Sequence, residues 1–309
     1  MGYQALGGNT TGSNNTAVGA NVFGNASSAT DNTAVGFNAL GGSGATAYNT
    51  AIGENSISGW TEGVGGTVAV YTYNTAIGNG ALSALSSLRN TPISGNIAIG
   101  DSAFIFTIIQ TAAGSNNNIV IGKNANVFAP TGNVNVRVTG NNNIVIGANQ
   151  QLSADSISNF IQYTSNRLNI GGAIFGTGLT GSVTTPAGNI GIGTATPGSK
   201  LEANGAYTNT QATNAGSGAT IDFSTSNLAY STSTSTNIAL QNIKNGGVYR
   251  LIITGTGKPI ISGTGSFTAN GFVFHYTSIV TAPNVANGFL YTFIVMNTDV
   301  YYTVDTINN

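Results

Sequence analysis

Charged side chains are scarce in this sequence. Only 6% of its 309 residues are Lys, Arg, Asp or Glu, against roughly 25% in an ordinary soluble domain. The formal net charge is −1, so the chain has no basic surface to hold a phosphate backbone. Nucleic acid is therefore not an expected partner.

Cysteine is absent and histidine occurs once. No disulfide, thiolate zinc site or thiol nucleophile is possible, and the nine Asp and Glu residues are scattered along the chain. A glycan-cleaving enzyme would need two carboxylates roughly 5–10 Å apart, which only assembly could bring together. We expect no enzyme, and no catalytic, metal-binding or cofactor-binding residues.

The single histidine, His275, lies between Phe274 and Tyr276 in a run typical of a β-strand. A half-buried strand histidine is the expected role. Two alternatives remain open: the base of a Ser-His-Asp triad, or a metal site formed by three copies at a symmetry axis.

Helix-forming residues and long apolar runs are also few. The chain has 29 Ile and 20 Val against 13 Leu and 2 Met, and β-branched residues favour strands. The longest apolar stretch, residues 104–109, is interrupted by Thr107 and is far too short to cross a bilayer. The composition predicts an all-β protein without membrane insertion.

A five-residue unit of the pattern Asn-Thr/Ile-Ala/Val-Val/Ile-Gly recurs through the first two thirds of the chain. Its copies end at Gly19, Gly36, Gly53, Gly78, Gly100, Gly122, Gly147, Gly171 and Gly193, spaced 17 to 25 residues apart. A short unit with tolerated insertions is typical of a solenoid or fibre, in which each unit forms one rung.

Side chains alternate across a strand, so the second and fourth positions of each unit share a face. The fourth position is always Val or Ile and the second changes from Thr to Ile along the chain. We expect this face to be buried, the closing Gly to form a turn, and the leading Asn residues to stack as amide ladders.

One rung cannot bury its apolar strand alone. Stacking along the axis covers part of it. Because the chain has so few charges, burial of the rest against identical chains costs little desolvation free energy. We expect a homotrimer; a monomeric β-solenoid is the alternative.

These units resemble repeats of bacteriophage tail-fibre proteins and the rungs in the heads of trimeric autotransporter adhesins. Residues 188–205, Gly-Asn-Ile-Gly-Ile-Gly-Thr-Ala-Thr-Pro-Gly-Ser-Lys-Leu-Glu-Ala-Asn-Gly, resemble the linker that ends many tail-fibre shafts, and residues 206–309 resemble a tail-fibre tip. The resemblance implies a homotrimeric parallel β-roll or β-helical shaft over 1–200, a neck over 201–219 and a C-terminal β-sandwich tip over 220–309.

The resemblance also implies a function: a structural, receptor-binding tail fibre on the virion. Its expected partners are a host-surface glycan or protein receptor and other tail or baseplate proteins. A bacterial trimeric adhesin or extracellular fibre is the alternative, and a fibre-borne glycan hydrolase is a further one.

Four aromatic residues are candidates for receptor contact. Tyr276, Tyr301 and Tyr302 lie in the C-terminal third, which holds seven of the 12 tyrosines, and tyrosine gives contact area at low entropic cost. Trp60 lies in an insertion that lengthens one rung, where it would stack on a sugar ring or, alternatively, pack the insertion onto the roll.

Overall fold

The fold is known from a computed structural model that describes most of the chain. The described residues are 2–24, 28–42, 46–59, 70–83, 92–105, 115–127, 140–152, 155–157, 160–162, 165–180, 187–205, 211–235, 238–254, 268–269, 272–276 and 288–307. The chain divides into two compact units, Met1–Ala206 and Tyr207–Asn309, here the repeat unit and the C-terminal unit. Every regular element in the described ranges is a strand, which confirms the all-β prediction.

The repeat unit is a β-solenoid. Its strands are β1 (Thr16–Val18), β2 (Thr33–Val35), β3 (Thr46–Ala47), β4 (Thr50–Ile52), β5 (Val70–Thr72), β6 (Thr75–Ile77), β7 (Pro92–Ser94), β8 (Ile97–Ile99), β9 (Ile119–Ile121), β10 (Ile144–Ile146), β11 (Asp155–Ile157), β12 (Phe160–Gln162), β13 (Leu168–Ile170), β14 (Ile174–Thr177), β15 (Asn189–Ile192) and β16 (Leu201–Ala203).

The sequence units pair with one another in register. Strands β1, β2, β4, β6, β8, β9, β10 and β13 form one parallel sheet in that order, and position matches position, as in Thr16 with Thr33 and Val18 with Val35. A shorter parallel sheet joins β3, β5 and β7. The repeat prediction is confirmed at the level of individual residues.

The closing glycines are required by the spacing of the rungs. Gly36 has φ +137°, and a Cβ there would lie 2.5 Å from the carbonyl oxygen of Gly53 on the next rung. Both the dihedral and the space exclude a side chain, so glycine is the residue that lets rungs approach to strand distance.

Within one chain, the face that was predicted to be buried is not the interior of the solenoid. The third position of the unit points inward, where Ala34, Ala76, Ala98, Val120 and Val145 have no exposed surface. The Thr, Val and Ile residues at the second and fourth positions point outward and are half-buried or exposed. Each three-residue strand thus points its middle side chain into the solenoid, and that residue is Ala or Val at the positions named.

Larger side chains fill the corners of the solenoid. Phe23, Leu40, Ile57, Leu82 and Phe104 are fully buried, and each has a φ between +47° and +58°. Non-glycine residues in this region are strained, Ile most of all. Their burial offsets that strain, which explains the apolar residue that follows the closing glycine at a fixed distance.

The solenoid ends with a change of strand direction. Strand β14 runs antiparallel to both β13 and β15, and β16 returns to parallel pairing with β15. Strands β15 and β16 lie within residues 188–205, the segment that resembles a shaft-ending linker.

The C-terminal unit consists of β17 (Thr213–Asn214), β18 (Thr220–Asp222), β19 (Leu228–Ser231), β20 (Ala239–Gln241), β21 (Val248–Thr254), β22 (Thr268–Ala269), β23 (Phe272–Tyr276), β24 (Gly288–Met296) and β25 (Asp299–Ile307). Seven strands form one sheet in the order β17-β19-β21-β24-β25-β23-β22, and β18 pairs with β20. Side chains of both sheets share one core, with Ile221 and Leu240 packed in the same cluster as Leu251, Phe293 and Tyr291.

Candidate self-association and binding surfaces

The most extended candidate surface is the outward face of the main solenoid sheet. It is defined by the second and fourth positions of the units and is called the outer ladder: Thr16, Val18, Thr33, Val35, Thr50, Ile52, Thr75, Ile77, Ile97, Ile99, Ile119, Ile121, Ile144, Ile146, Leu168 and Ile170. None of these residues is charged. Val18 is 47% exposed and Ile77 38%, so an apolar stripe follows the sheet from β1 to β13. Contiguous apolar patches of this kind mark interaction sites.

A rigid hydrogen-bond system lies beside the outer ladder. The side chain of each leading Asn donates from Nδ2 to Oδ1 of the Asn one rung earlier, over 2.9–3.1 Å from Asn32 through Asn143. The same Oδ1 also accepts the next Asn backbone N–H, as between Asn96 and Asn74 at 3.0 Å. These amides are buried and hydrogen-bonded, so the predicted amide ladder is confirmed and the strands carrying the outer ladder are held in fixed register.

A second candidate surface is the corner that immediately precedes the leading Asn. Its residues, called the corner series, are Asn14, Asp31, Tyr48, Tyr73, Gly95, Asn117, Asn142 and Asn166, and all have φ between +56° and +69°. Within this series the rings of Tyr48 and Tyr73 stack with centroids 4.8 Å apart and planes 4° from parallel. Both rings are more than half exposed, at 52% and 61%.

Sequence reasoning missed this tyrosine pair. The signal was present, because Tyr48 and Tyr73 each precede the Asn of a unit, and aligning the units places the two rings on neighbouring rungs. The predicted receptor contacts lie elsewhere, in the C-terminal third and at Trp60.

Two of the four predicted receptor-binding residues are placed by the structure. Tyr301 is partly exposed, whereas Tyr302 is buried at 8% exposure and its ring lies 5.8 Å from that of Phe293 in the core. Adjacent strand residues point to opposite faces, so the ring of Tyr302 points into the core of this unit, and receptor contact by Tyr301 and Tyr302 stays a prediction. Trp60 and the side chain of Tyr276 lie outside the described residues.

His275 lies on the outward face of the seven-stranded sheet. Its Nε2 is 2.7 Å from Oδ1 of Asp299, and its ring stacks on Tyr301 with centroids 5.1 Å apart. Strand register continues this row through Ile294 and Val248, both of which are exposed. The face thus combines an exposed imidazole–carboxylate pair with apolar neighbours.

The described ranges contain no group of three His, Cys, Asp or Glu residues placed to hold a metal ion. In the same ranges no helix has the length and apolar character needed to cross a membrane.

Two exposed side chains form an ion pair on the solenoid, Lys123 Nζ and Asp101 Oδ2 at 3.4 Å, and such a pair contributes little to stability.

Comparisons with protein-family models, with curated proteins and with solved structures give no match for this chain. Its function is therefore inferred from its own residues and their geometry.

Proposed function

We propose that this chain is the subunit of a homotrimeric extracellular fibre, a bacteriophage tail fibre. In this proposal the repeat unit forms the shaft and the C-terminal unit a β-sandwich tip that attaches to a receptor on the host surface. The protein acts by binding and assembly, without catalysis. The outer ladder is the observation that carries the proposal.

The outer ladder favours a second and third copy of this chain as its occupants. A monomer gains nothing from keeping Ile or Val outward at the fourth position of each unit, because exposed apolar area costs about 25 cal/mol per Å² relative to burial. The ladder is uncharged along its whole length, so identical copies can meet there without like-charge repulsion or charge desolvation. The resemblance of the rungs to those of trimeric adhesins favours three copies over two.

Attachment follows from the geometry of such an assembly. Three identical tips on one fibre convert weak contacts into strong adhesion, because the second and third contacts form at high effective concentration. Tyr301 and its neighbours His275 and Ile294 offer the exposed surface for a glycan or protein receptor on the C-terminal unit. Tyr276 and Trp60 stay predicted receptor contacts.

Oligomeric state tests the assembly. Sedimentation equilibrium of the full chain is expected to give three times the monomer mass, 31.1 kDa. Ile121→Asp places a charge on the outer ladder and is expected to yield folded monomers with an unchanged β-type circular dichroism spectrum. Asn124→Asp is the matched control, because it adds the same charge on the same rung at an exposed corner and should remain trimeric.

Ile121→Thr removes the isoleucine side chain without introducing a charge, and so tests whether the charge itself prevents assembly. Threonine occupies the ladder at Thr16, Thr33, Thr50 and Thr75, so this variant should fold and assemble. A monomeric wild-type chain, or an Ile121→Asp protein that remains trimeric, would contradict the proposed assembly.

The location of the fibre is tested separately. Antibody against the purified chain, detected by gold labelling in electron microscopy, is expected to decorate the tails of virions. Labelling of a bacterial surface would identify the chain as an adhesin. Release of reducing sugar from host polysaccharide by the purified protein would contradict the proposal that it acts without catalysis.

A further inference from the structure

We propose that the stacked tyrosines of the corner series form a carbohydrate-binding site on the repeat unit, at which the ring of Tyr73 receives the apolar face of a pyranose. This inference deepens the proposed attachment function, on which its biological role rests, by naming a ligand class and a second binding region. Four residues carry it: Tyr48, Tyr73, Gly95 and Asn117.

The two tyrosines occupy positions that do not favour tyrosine. Each has φ +57°, a left-handed conformation that Asn, Asp and Gly adopt more easily than aromatic residues. Each of the remaining six positions of the series holds Asn, Asp or Gly. The rings also bury little surface, since both are more than half exposed. Backbone preference and burial therefore do not account for them, and such outliers indicate function.

The backbone holds the pair as a preformed platform. Tyr48 N donates to the carbonyl of Thr30, and Tyr73 N donates to that of Ala47, each at 3.1 Å. The centroid spacing of 4.8 Å equals the distance between neighbouring strands. A ligand would thus meet two rings that are already fixed, with little loss of conformational entropy on binding.

The next position of the series carries no side chain. Gly95 follows Tyr73 on the adjacent rung, and its N–H donates to the carbonyl of Thr72 in the same pattern. Asn117 follows on the rung after that, and its Oδ1 is the atom nearest to the point where a Cβ of Gly95 would stand. The position beside Tyr73 is therefore bounded by an aromatic face, a glycine and a side-chain amide.

This combination fits a sugar ring. A pyranose has one face of C–H groups that packs on an aromatic ring, and equatorial hydroxyls that exchange hydrogen bonds with an amide. No hydrogen bond within the described residues engages the side chain of Asn117, which is exposed. A nucleotide is disfavoured because the only charged residue of the corner series is Asp31, which would repel phosphate.

Saturation-transfer NMR on the full chain tests the site, with methyl glycosides of glucose, galactose, mannose and N-acetylglucosamine as probes. We expect saturation of at least one glycoside, strongest at the axial C–H protons of one ring face. Tyr73→Ala should reduce the signal at least tenfold, and Tyr73→Phe should retain it. Tyr3→Ala is the matched control, because Tyr3 is an exposed tyrosine of the same unit outside the corner series.

Gly95→Asn blocks the site while keeping both rings. Asparagine is the commonest residue of the corner series and tolerates the φ of +69° at this position. The Asn117 side chain has to turn aside, because its Oδ1 lies 2.4 Å from the position of the new Cβ. The variant should keep the solenoid fold and lose the saturation signal, which a merely structural role of the tyrosines would not predict.

Four results would overturn the inference. Three are no saturation of any of the four glycosides, equal saturation in wild type and Tyr73→Ala, and binding of thymidine monophosphate in their place. Loss of the trimer in Tyr73→Ala would assign the corner to the subunit interface and also overturn it. Sedimentation and NMR report separately, so a monomer that still binds sugar would remove the proposed assembly and leave this site standing.

Discussion

Strands of both units alternate inward and outward side chains, but the inward ones are small in the repeat unit and large in the C-terminal unit. In the repeat unit the inward residue of a strand is small, such as Ala98, and Ile97 and Ile99 point outward. In the C-terminal unit Tyr291, Phe293 and Val295 point inward from one strand. Both units also leave apolar residues on their outward faces. The comparison shows that alternation identifies a strand but does not tell which of its faces is the core.

The units differ because their interiors are built differently. A solenoid rung encloses a narrow interior that backbone hydrogen bonds and buried amides already stabilise, as at Asn96 and Asn118. Little room is left for large side chains except at the corners. The C-terminal unit packs a seven-stranded sheet against a two-stranded one, and its stability comes from burial of aromatic and aliphatic area.

The largest expected effect is at the inward position of a rung. Val120→Asp puts an unpaired charge into the solenoid between Ala98 and Val145, which costs several kcal/mol. We expect the repeat unit to lose its β-type circular dichroism, in contrast to Ile121→Asp one residue later. Val120→Ala, which restores the alanine of other rungs, is the control. A folded Val120→Asp solenoid would show that the third position is not the core.

The next largest effect is expected in the C-terminal unit. Phe293→Ala removes a fully buried ring and should lower the free energy of unfolding by about 3–5 kcal/mol. Calorimetry should show the shift in one transition only. Thr292→Ala, on the opposite face of the same strand, should shift it little. A single calorimetric transition that shifts as a whole in Phe293→Ala would mean that the two units unfold together.

One substitution is expected to act with opposite sign in the two units. In the repeat unit the hydroxyl of Tyr71 is buried without a hydrogen-bond partner in the described residues, and burial raises its pKa. Tyr71→Phe should therefore stabilise by about 1 kcal/mol. In the C-terminal unit Lys244 N donates to the Tyr249 hydroxyl at 2.8 Å, so Tyr249→Phe should destabilise by a similar amount. Denaturant unfolding of both variants measures the two signs, and equal signs would contradict the comparison.

The smallest expected effect depends on pH. The Asn242 side chain donates to Asp222 at 2.6 Å and the Ser224 backbone N–H at 2.8 Å, which lowers the pKa of this carboxyl. A depressed pKa means that the stabilisation is complete above the ordinary aspartate value, roughly pH 4, and is lost as pH falls through the lowered one. The midpoint difference between wild type and Asp222→Asn should therefore shrink in acid. A difference independent of pH would show that the carboxylate charge plays no part.

The rungs and their register could be predicted because each copy of the unit carries the same residues at the same places. Once Asn49 and Asn74 are aligned, the pairing of every strand position follows. The buried face could not be predicted, because the sequence rule that large apolar residues lie inside assumes an interior wide enough for them. The alanine at the third position of the first five units, as at Ala51 and Ala76, was the available sign of a narrow interior.

The candidate sites were harder to predict for a related reason. Tyr301 and Tyr302 are identical neighbours, so composition gives no means of deciding which ring is exposed; only pairing with β24 decides it. The Tyr48–Tyr73 pair is 25 residues apart, and the rings meet only because the insertion between them leaves the rung register unchanged.

The direction of the hydrogen bonds in the solenoid sets its response to force. In a parallel stack of rungs these bonds run along the axis, so tension applied along the axis opens them one rung at a time instead of shearing many together. Each rung of 17 to 25 residues would release roughly 60–90 Å of extended chain, at about 3.5 Å per residue. The repeat unit would thus yield gradually under load, lengthening in steps while the remaining rungs keep their register.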